Sequence, residues 1–221
     1  MVFVLLPGFS QTASVWDEVG SHLTGSWKAL ETPRCDSWRA TVDSIALAGG
    51  RGTYVGYSMG GRLALGVALA YPELVERLVM MSAGPGIDDA SERIRRRATD
   101  REWIETIRTS GSEGFLERWL SQEMFADLGP RATDHRIGDA DHLVDQVRTL
   151  GQGAMPAYHD RLGELTMPVS LLVGERDIRY RQIASRTADL IGPGAEVRIV
   201  QGAGHSVIAE APETVAFLLE T

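Results

Sequence analysis

Three polar residues lying far apart in the chain have the types and the order for base or nucleophile chemistry: Ser58, Asp177 and His205. A neutral serine hydroxyl is a poor nucleophile and a poor base. It becomes reactive when a histidine takes its proton and an acid holds that histidine in the right tautomer. Ser58 lies in GYSMGG (56–61), and Gly-x-Ser-x-Gly can set a serine on a sharp strand-to-helix turn above a sheet. Small residues are needed at 56 and 60, where a Cβ would clash. Asp177, in LLVGERDIRY, and His205, in VQGAGHSVIAEAP, follow in the order acid then histidine. An anionic transition state also needs donors. The Met59 N–H is one candidate, and the Phe9 N–H in the loop LLPGFSQ is the other, with Gly8 permitting the turn. Each residue has a bland alternative: a turn serine, a helix N-cap aspartate before 179–191, a surface-loop histidine. Their joint arrangement is much harder to explain in that way. His22, His135, His142 and His159 do not follow a strand after the acid and are expected on the surface or in a helical lid over 88–163.

These residues need a frame. The apolar runs at 2–6, 53–57, 76–83 and 168–174 are short and turn-bounded, as strands buried on both faces of a parallel sheet are. Weaker strand candidates lie at 27–31 and 196–200. Helix-period stretches fall at 15–23, 38–48, 59–70, 181–191 and 212–219, and Pro72 ends the third. Alternating strands and helices predict an α/β fold with a mostly parallel, doubly wound sheet. The alternation stops at Gly84-Pro85-Gly86. The expected organisation is a core of 1–87 and 164–221 with a helical lid insertion over 88–163, covering the sheet edge where ligands bind in open α/β folds.

Composition excludes several classes. The 221 residues suit one α/β domain, able to bury a full core without a metal or disulfide staple. A net charge of −8 disfavours nonspecific binding to nucleic acid or anionic membranes. No apolar run approaches the ~20 residues that cross a bilayer, and MVFVLLPGF is too short for a signal peptide and lacks a basic region. Cys35 is the one cysteine, so no intrachain disulfide can form, which fits a reducing cytoplasm. The histidines lack metal-ligand spacing, and neither metal nor other cofactor is implied. Nothing in the sequence sets an oligomeric state.

Over nearly its whole length the chain resembles the α/β-hydrolase superfamily. Within it, the chain resembles the 2-succinyl-6-hydroxy-2,4-cyclohexadiene-1-carboxylate synthases of menaquinone biosynthesis. The stretches that carry the likeness are GYSMGGRLAL, SAGPGIDDASERIRRRATDREW, FLERWLSQEMF, LVDQVRTLGQG and LLVGERDIRY. Arg93, Arg96 and Asp100 match the family's spaced Arg, Arg and Asp. Trp119 matches its lid tryptophan, and Gly151-Gln152-Gly153 its Gly-rich turn. The resemblance implies a triad used as a base rather than an acyl carrier, removing a ring proton as pyruvate is eliminated from 2-succinyl-5-enolpyruvyl-6-hydroxy-3-cyclohexene-1-carboxylate. Such a small anionic substrate, with several carboxylates, calls for guanidinium forks. By resemblance Arg62, Arg96 and Arg136 fill that role, with Tyr57 and Trp119 lining the pocket. Arg62 also follows Ser58 by four residues, one helical turn, and so can face the same cavity. The chain departs from the family at Pro7-Gly8, where His-Gly is usual, and at Ile208, where a second histidine is usual.

Two other readings share the fold. A carboxylesterase or thioesterase would use the same triad through an acyl-enzyme, but it has no need of three arginines around the serine. A noncatalytic binding protein has no need of a triad.

Overall fold

A computed structural model of the protein describes residues 2–126, 128 and 134–221. Six strands, β1 (Val2–Leu6), β2 (Ser26–Ala29), β3 (Gly52–Tyr57), β4 (Val75–Met81), β5 (Val169–Gly174) and β6 (Ala195–Val200), make one sheet ordered β2-β1-β3-β4-β5-β6. Every pairing is parallel. Side chains of a strand point alternately to opposite faces, and the two faces fill different cores. Val4, Leu6, Tyr54, Leu78, Met80, Leu171 and Val173 pack with α2 (Trp38–Gly49), α3 (Met59–Ala70) and α6 (Ile178–Ile191). Phe3, Leu5, Val55, Tyr57, Val79, Met81 and Leu172 pack with α1 (Asp17–His22), α7 (Val207–Glu210) and α8 (Pro212–Glu220). Helices therefore cover both faces, which is why β3 and β5 read as unbroken apolar or small-residue runs.

The chain leaves β1 outward to β2, then returns past β1 to β3 and proceeds outward the other way. The winding reverses between β1 and β3. Beyond the carboxyl ends of these two strands lies the crevice that open α/β sheets use for ligands. The loop holding Phe9 follows β1, and Ser58 follows β3.

Between β4 and β5 run α4 (Ala90–Leu120) and α5 (Ala140–Leu150), which pack on each other around Ile107, Phe115, Ile137, Leu143, Val144 and Val147. Asp89 caps α4 by accepting from the Glu92 N–H at 2.6 Å, and Asp139 caps α5 by accepting from the His142 N–H at 3.1 Å. Gly111, at φ 69° and ψ −177°, interrupts α4. A strap at 135–137 ties this segment to the β1 loop: Thr12 N–H donates to the His135 carbonyl at 2.8 Å and Ile137 N–H to the Ser10 carbonyl at 2.9 Å.

Several element boundaries differ from the expectations, among them that of β2, which runs over Ser26–Ala29 rather than 27–31. The helix expected at 15–23 opens as a 3-10 turn, Ala13–Trp16, before α1 begins. The strand expected over 76–83 stops at Met81, because Ser82 at φ 47° turns the chain. α6 begins at Ile178 rather than 181, because Asp177 caps it. No helix among the described residues is long and apolar enough to cross a membrane.

Candidate active site

Ser58 sits between β3 and α3 at φ 52° and ψ −108°, a conformation that L residues rarely adopt. The turn is this sharp because the chain doubles back onto itself. A Cβ on Gly56 would lie 2.2 Å from the Gly60 backbone, and one on Gly60 would lie 2.2 Å from the Leu6 carbonyl oxygen. Only glycine fits either position, so the sequence dictates the elbow. The Ser58 N–H donates to the Met81 carbonyl at 2.8 Å, fixing the strained residue to the end of β4.

The acid and the histidine arrive from β5 and from the loop after β6. The close approach of these loops also rests on a glycine, since a Cβ on Gly174 would meet the Gly204 carbonyl oxygen at 1.9 Å. Asp177 uses both carboxylate oxygens. Oδ1 accepts from the Tyr180 N–H at 3.1 Å and caps α6, while Oδ2 lies 2.6 Å from His205 Nδ1. The N-cap reading of Asp177 and the histidine-orienting one thus hold together. These partners assign the Nδ1–H tautomer, leaving Nε2 to accept from the Ser58 hydroxyl, 3.4 Å away. His205 is buried at 3% exposure, between the rings of Tyr57, Phe125 and Tyr180. The structure therefore brings Ser58, His205 and Asp177 into one hydrogen-bonded row at the C-terminal edge of the sheet.

Phe9 and Met59 border the same cavity as Ser58. Met59 is the first residue of α3, so its N–H has no intrahelical acceptor and points out of the helix start. The cavity has a volume of about 240 Å³. Burial pushes the Tyr57 phenol well above its usual range, keeping it neutral, and it pairs with Ser206 Oγ at 2.9 Å. Overhead lies an aromatic cluster in which Trp119 stacks on Phe115 and meets Phe9, Trp103 and Phe125.

All three expected arginines line this cavity, each held differently. Arg62 is buried, donates to the Leu150 carbonyl at 2.8 Å and faces the Trp38 ring. Burial pulls its pKa down from 12.5 to about 10, outweighing the opposing pull of Tyr180 and Asp100. Arg96 is clamped by Asp100 Oδ1 at 2.8 Å and Gln152 Oε1 at 3.0 Å. Asp100 Oδ2 in turn accepts from the Gly153 N–H at 3.3 Å, which binds α4 to the turn after α5. Arg136 donates to Ser10 Oγ at 3.0 Å, and burial lowers its pKa. In RIRRR (93–97), the side chain of Ile94 is largely exposed while that of Arg96 is turned inward.

Arg179 and Tyr180 are among the contributors that the sequence does not point to. Arg179 also lines the cavity. It lies two residues past Asp177, within the first turn of α6, a position that the cap on Asp177 could have signalled. Tyr180 covers His205 and accepts from Gln152 Nε2 at 3.1 Å; no sequence signal pairs 152 with 180. In all, four arginines and two aspartates border the cavity, so a locally cationic site sits in a chain of net charge −8. Among the described residues, no group of three or more His, Cys, Asp and Glu side chains could hold a metal ion.

Residues 3–216 match the model of the alpha/beta hydrolase family. The chain belongs to that family. Among relatives, a Bacillus subtilis (strain 168) protein named provisionally as a 2-succinyl-6-hydroxy-2,4-cyclohexadiene-1-carboxylate synthase is 33% identical over 166 residues, 72% of this chain. The chain spans only 60% of that relative's length. A Salmonella agona (strain SL483) 2-succinyl-6-hydroxy-2,4-cyclohexadiene-1-carboxylate synthase is 28% identical over 233 residues, 96% of this chain and 89% of its own. The solved structure of MenH from S. aureus superposes with a TM-score of 0.90 at 24% identity, covering 100% of this chain and 92% of that one. At that identity the superposition speaks for the fold.

Proposed function

We propose that this chain is a lyase of menaquinone biosynthesis that eliminates pyruvate from 2-succinyl-5-enolpyruvyl-6-hydroxy-3-cyclohexene-1-carboxylate, with Ser58, His205 and Asp177 acting together as the base. The observation that carries the proposal is the ring of arginines around Ser58: four guanidinium groups border a cavity of about 240 Å³. The relatives named as synthases of the corresponding diene support it.

The chemistry follows from substrate and product. A 3-ene becomes a 2,4-diene, so a proton leaves C2 and the enolpyruvyl oxygen leaves C5. His205 takes the Ser58 proton, and the serine oxygen takes the C2 proton. The C2 electron pair forms C2=C3, the C3=C4 pair moves to C4=C5, and the C5–O bond breaks. The departing pyruvate enolate is protonated on carbon by solvent or by the imidazolium. C2 lies beside the succinyl ketone, so charge developing there spreads onto the ketone oxygen. The amides of Phe9 and Met59 are the donors for that oxyanion. An apparatus used elsewhere for acyl transfer thus serves proton abstraction without an acyl-enzyme. Asp177 fixes the tautomer and stabilises the imidazolium. Arg62, Arg96 and Arg136 hold carboxylates, and Tyr57 and Trp119 wall the ring. α4 and α5, within residues 88–163, act as a lid that keeps water from the enolate, over a core formed by 1–87 and 164–221. The protein works in the cytoplasm.

The test is pyruvate release from the enolpyruvyl substrate, followed by lactate dehydrogenase coupling. Wild type should release pyruvate and Ser58→Ala should not. Absence of pyruvate, with hydrolysis of nitrophenyl esters instead, would assign the site to a serine hydrolase.

A further inference from the structure

His205 Nε2 must reach Ser58 Oγ while its Nδ1 stays on Asp177, and the histidine rides on a loop between β6 and the four-residue α7. Something must hold that loop. Glu210 lies at the end of α7 with its side chain 9% exposed, and its carboxylate turns back toward the start of the loop. Oε2 accepts from the Gly204 N–H at 2.7 Å, and Oε1 accepts from the Ser206 N–H at 3.0 Å. The two amides that flank His205 are therefore held by the two oxygens of one carboxylate. A guanidinium nitrogen of Arg176 lies 3.2 Å from Oε2, and Arg176 immediately precedes Asp177. Its backbone N–H donates to the Ala203 carbonyl at 2.9 Å, which ties the acid loop to the histidine loop a second time. From the opposite side, Ser82 Oγ donates to the His205 carbonyl at 2.9 Å.

We propose that Glu210 is a positioning residue for His205, holding the imidazole in line between Asp177 and Ser58 through the two flanking amides, with Arg176 fixing that clamp to the loop that carries Asp177. The proposal rests on the triad reading above but not on the identity of the substrate. Glu210 touches no reacting atom. Its carboxylate is the acceptor that serves both amides at once, and an amide side chain has a single acceptor oxygen. Glu210→Gln keeps the shape, retains one of the two contacts and turns an NH2 toward the other N–H. Loosening the loop in this way lengthens a contact already at 3.4 Å, and small displacements of a reacting group cost large factors in rate.

The experiment measures pyruvate release together with the rate at which a fluorophosphonate labels Ser58, which reports serine activation whatever the natural substrate. Glu210→Gln should lower kcat and the labelling rate by the same factor, about tenfold or more, with KM within about twofold, at a temperature well below its melting point. Arg176→Gln should do the same more weakly, and the pair should be non-additive, because both act on one clamp. Glu210→Asp, one methylene shorter, should not restore the rate. Unchanged kcat and labelling in Glu210→Gln would overturn the proposal. So would a loss confined to KM, or one that tracks melting temperature and disappears on cooling. A wild type that labels but releases no pyruvate leaves the clamp in place and removes only the substrate assignment. A wild type labelled no faster than Ser58→Ala would overturn the triad reading and the clamp with it.

Discussion

The sheet edge and the helical segment above it supply the two halves of the site by different means. At the sheet edge, side-chain position follows from backbone. Ser58, Asp177 and His205 each stand just past a parallel strand, and glycines at 56, 60 and 174 let the loops approach to distances that no Cβ would allow. In the segment from α4 to α5, position follows from side chains holding other side chains. Arg96 points inward because Asp100 and Gln152 hold it, and Trp119 is placed by four other aromatic rings. The first half carries the proposed reacting groups; the second contributes Arg96 and Arg136 to the cavity, while Arg62 and Arg179 reach it from α3 and α6. On the proposed function, the sheet edge fixes the base, and arginines from both halves hold the anion.

Breaking the first half should have the largest effects. Ser58→Ala and His205→Ala should each lower kcat by on the order of a thousandfold or more, and the double variant should be scarcely worse, since the row acts as one unit. If the double variant instead loses the product of the two single effects, the residues act independently. Gly60→Ala should leave little folded protein, as read by circular dichroism, because the new methyl would lie 2.2 Å from the Leu6 carbonyl oxygen. A well-folded, active Gly60→Ala would remove the argument that backbone dictates the elbow.

Removing single guanidinium groups should cost less. A bidentate arginine–carboxylate contact in a partly closed site contributes on the order of 1.5–3 kcal/mol. Arg62→Ala and Arg96→Ala should therefore lower kcat/KM by roughly tenfold to a hundredfold. Arg→Lys should recover part of this, because ammonium cannot form the fork.

Arg62 also makes stability and activity diverge. Its pKa is about 10 in the fold against an ordinary 12.5. Between these values the unfolded chain holds more protons, so stability rises with pH across that window, and at neutral pH the buried cation costs on the order of 3 kcal/mol. Arg62→Leu should consequently melt no lower than wild type at neutral pH while losing activity. A clear fall in melting temperature would mean that the guanidinium stabilises the fold.

The smallest effect belongs to the support of Arg96. Asp100→Asn weakens that clamp and the contact with the Gly153 N–H without removing either, and should raise KM by about threefold with kcat nearly unchanged. An effect as large as that of Arg96→Ala would make Asp100 more than a support.

The same contrast explains what could be read in the sequence. The strands, the elbow at Ser58 and the order of acid and histidine were legible because short apolar runs and glycine spacing encode a parallel sheet and its turns locally. They imply a doubly wound α/β sheet, and the resemblance of longer stretches adds the alpha/beta hydrolase family, which the match over residues 3–216 shows. The early start of α6 is not visible in the helical period, because it depends on Asp177, whose one oxygen caps the helix while the other meets His205. Arg62 could be placed toward the cavity by helical period alone. Arg179 and the Gln152–Tyr180 contact were not legible, because side-chain pairing across a packed helical layer depends on tertiary geometry that no local period encodes. Glu210 was hidden for the same reason, its value lying in two backbone amides brought together by the His205 loop.

The central claim is that one triad acts as a base on a substrate held by arginines. Its most direct test measures pyruvate release from the enolpyruvyl substrate and hydrolysis of a neutral nitrophenyl ester side by side, for wild type, Ser58→Ala and Arg62→Ala. The account predicts fast pyruvate release from wild type, none from Ser58→Ala, and a fall of roughly tenfold to a hundredfold in Arg62→Ala, with any ester hydrolysis insensitive to Arg62. Robust ester hydrolysis with no pyruvate from wild type would contradict it.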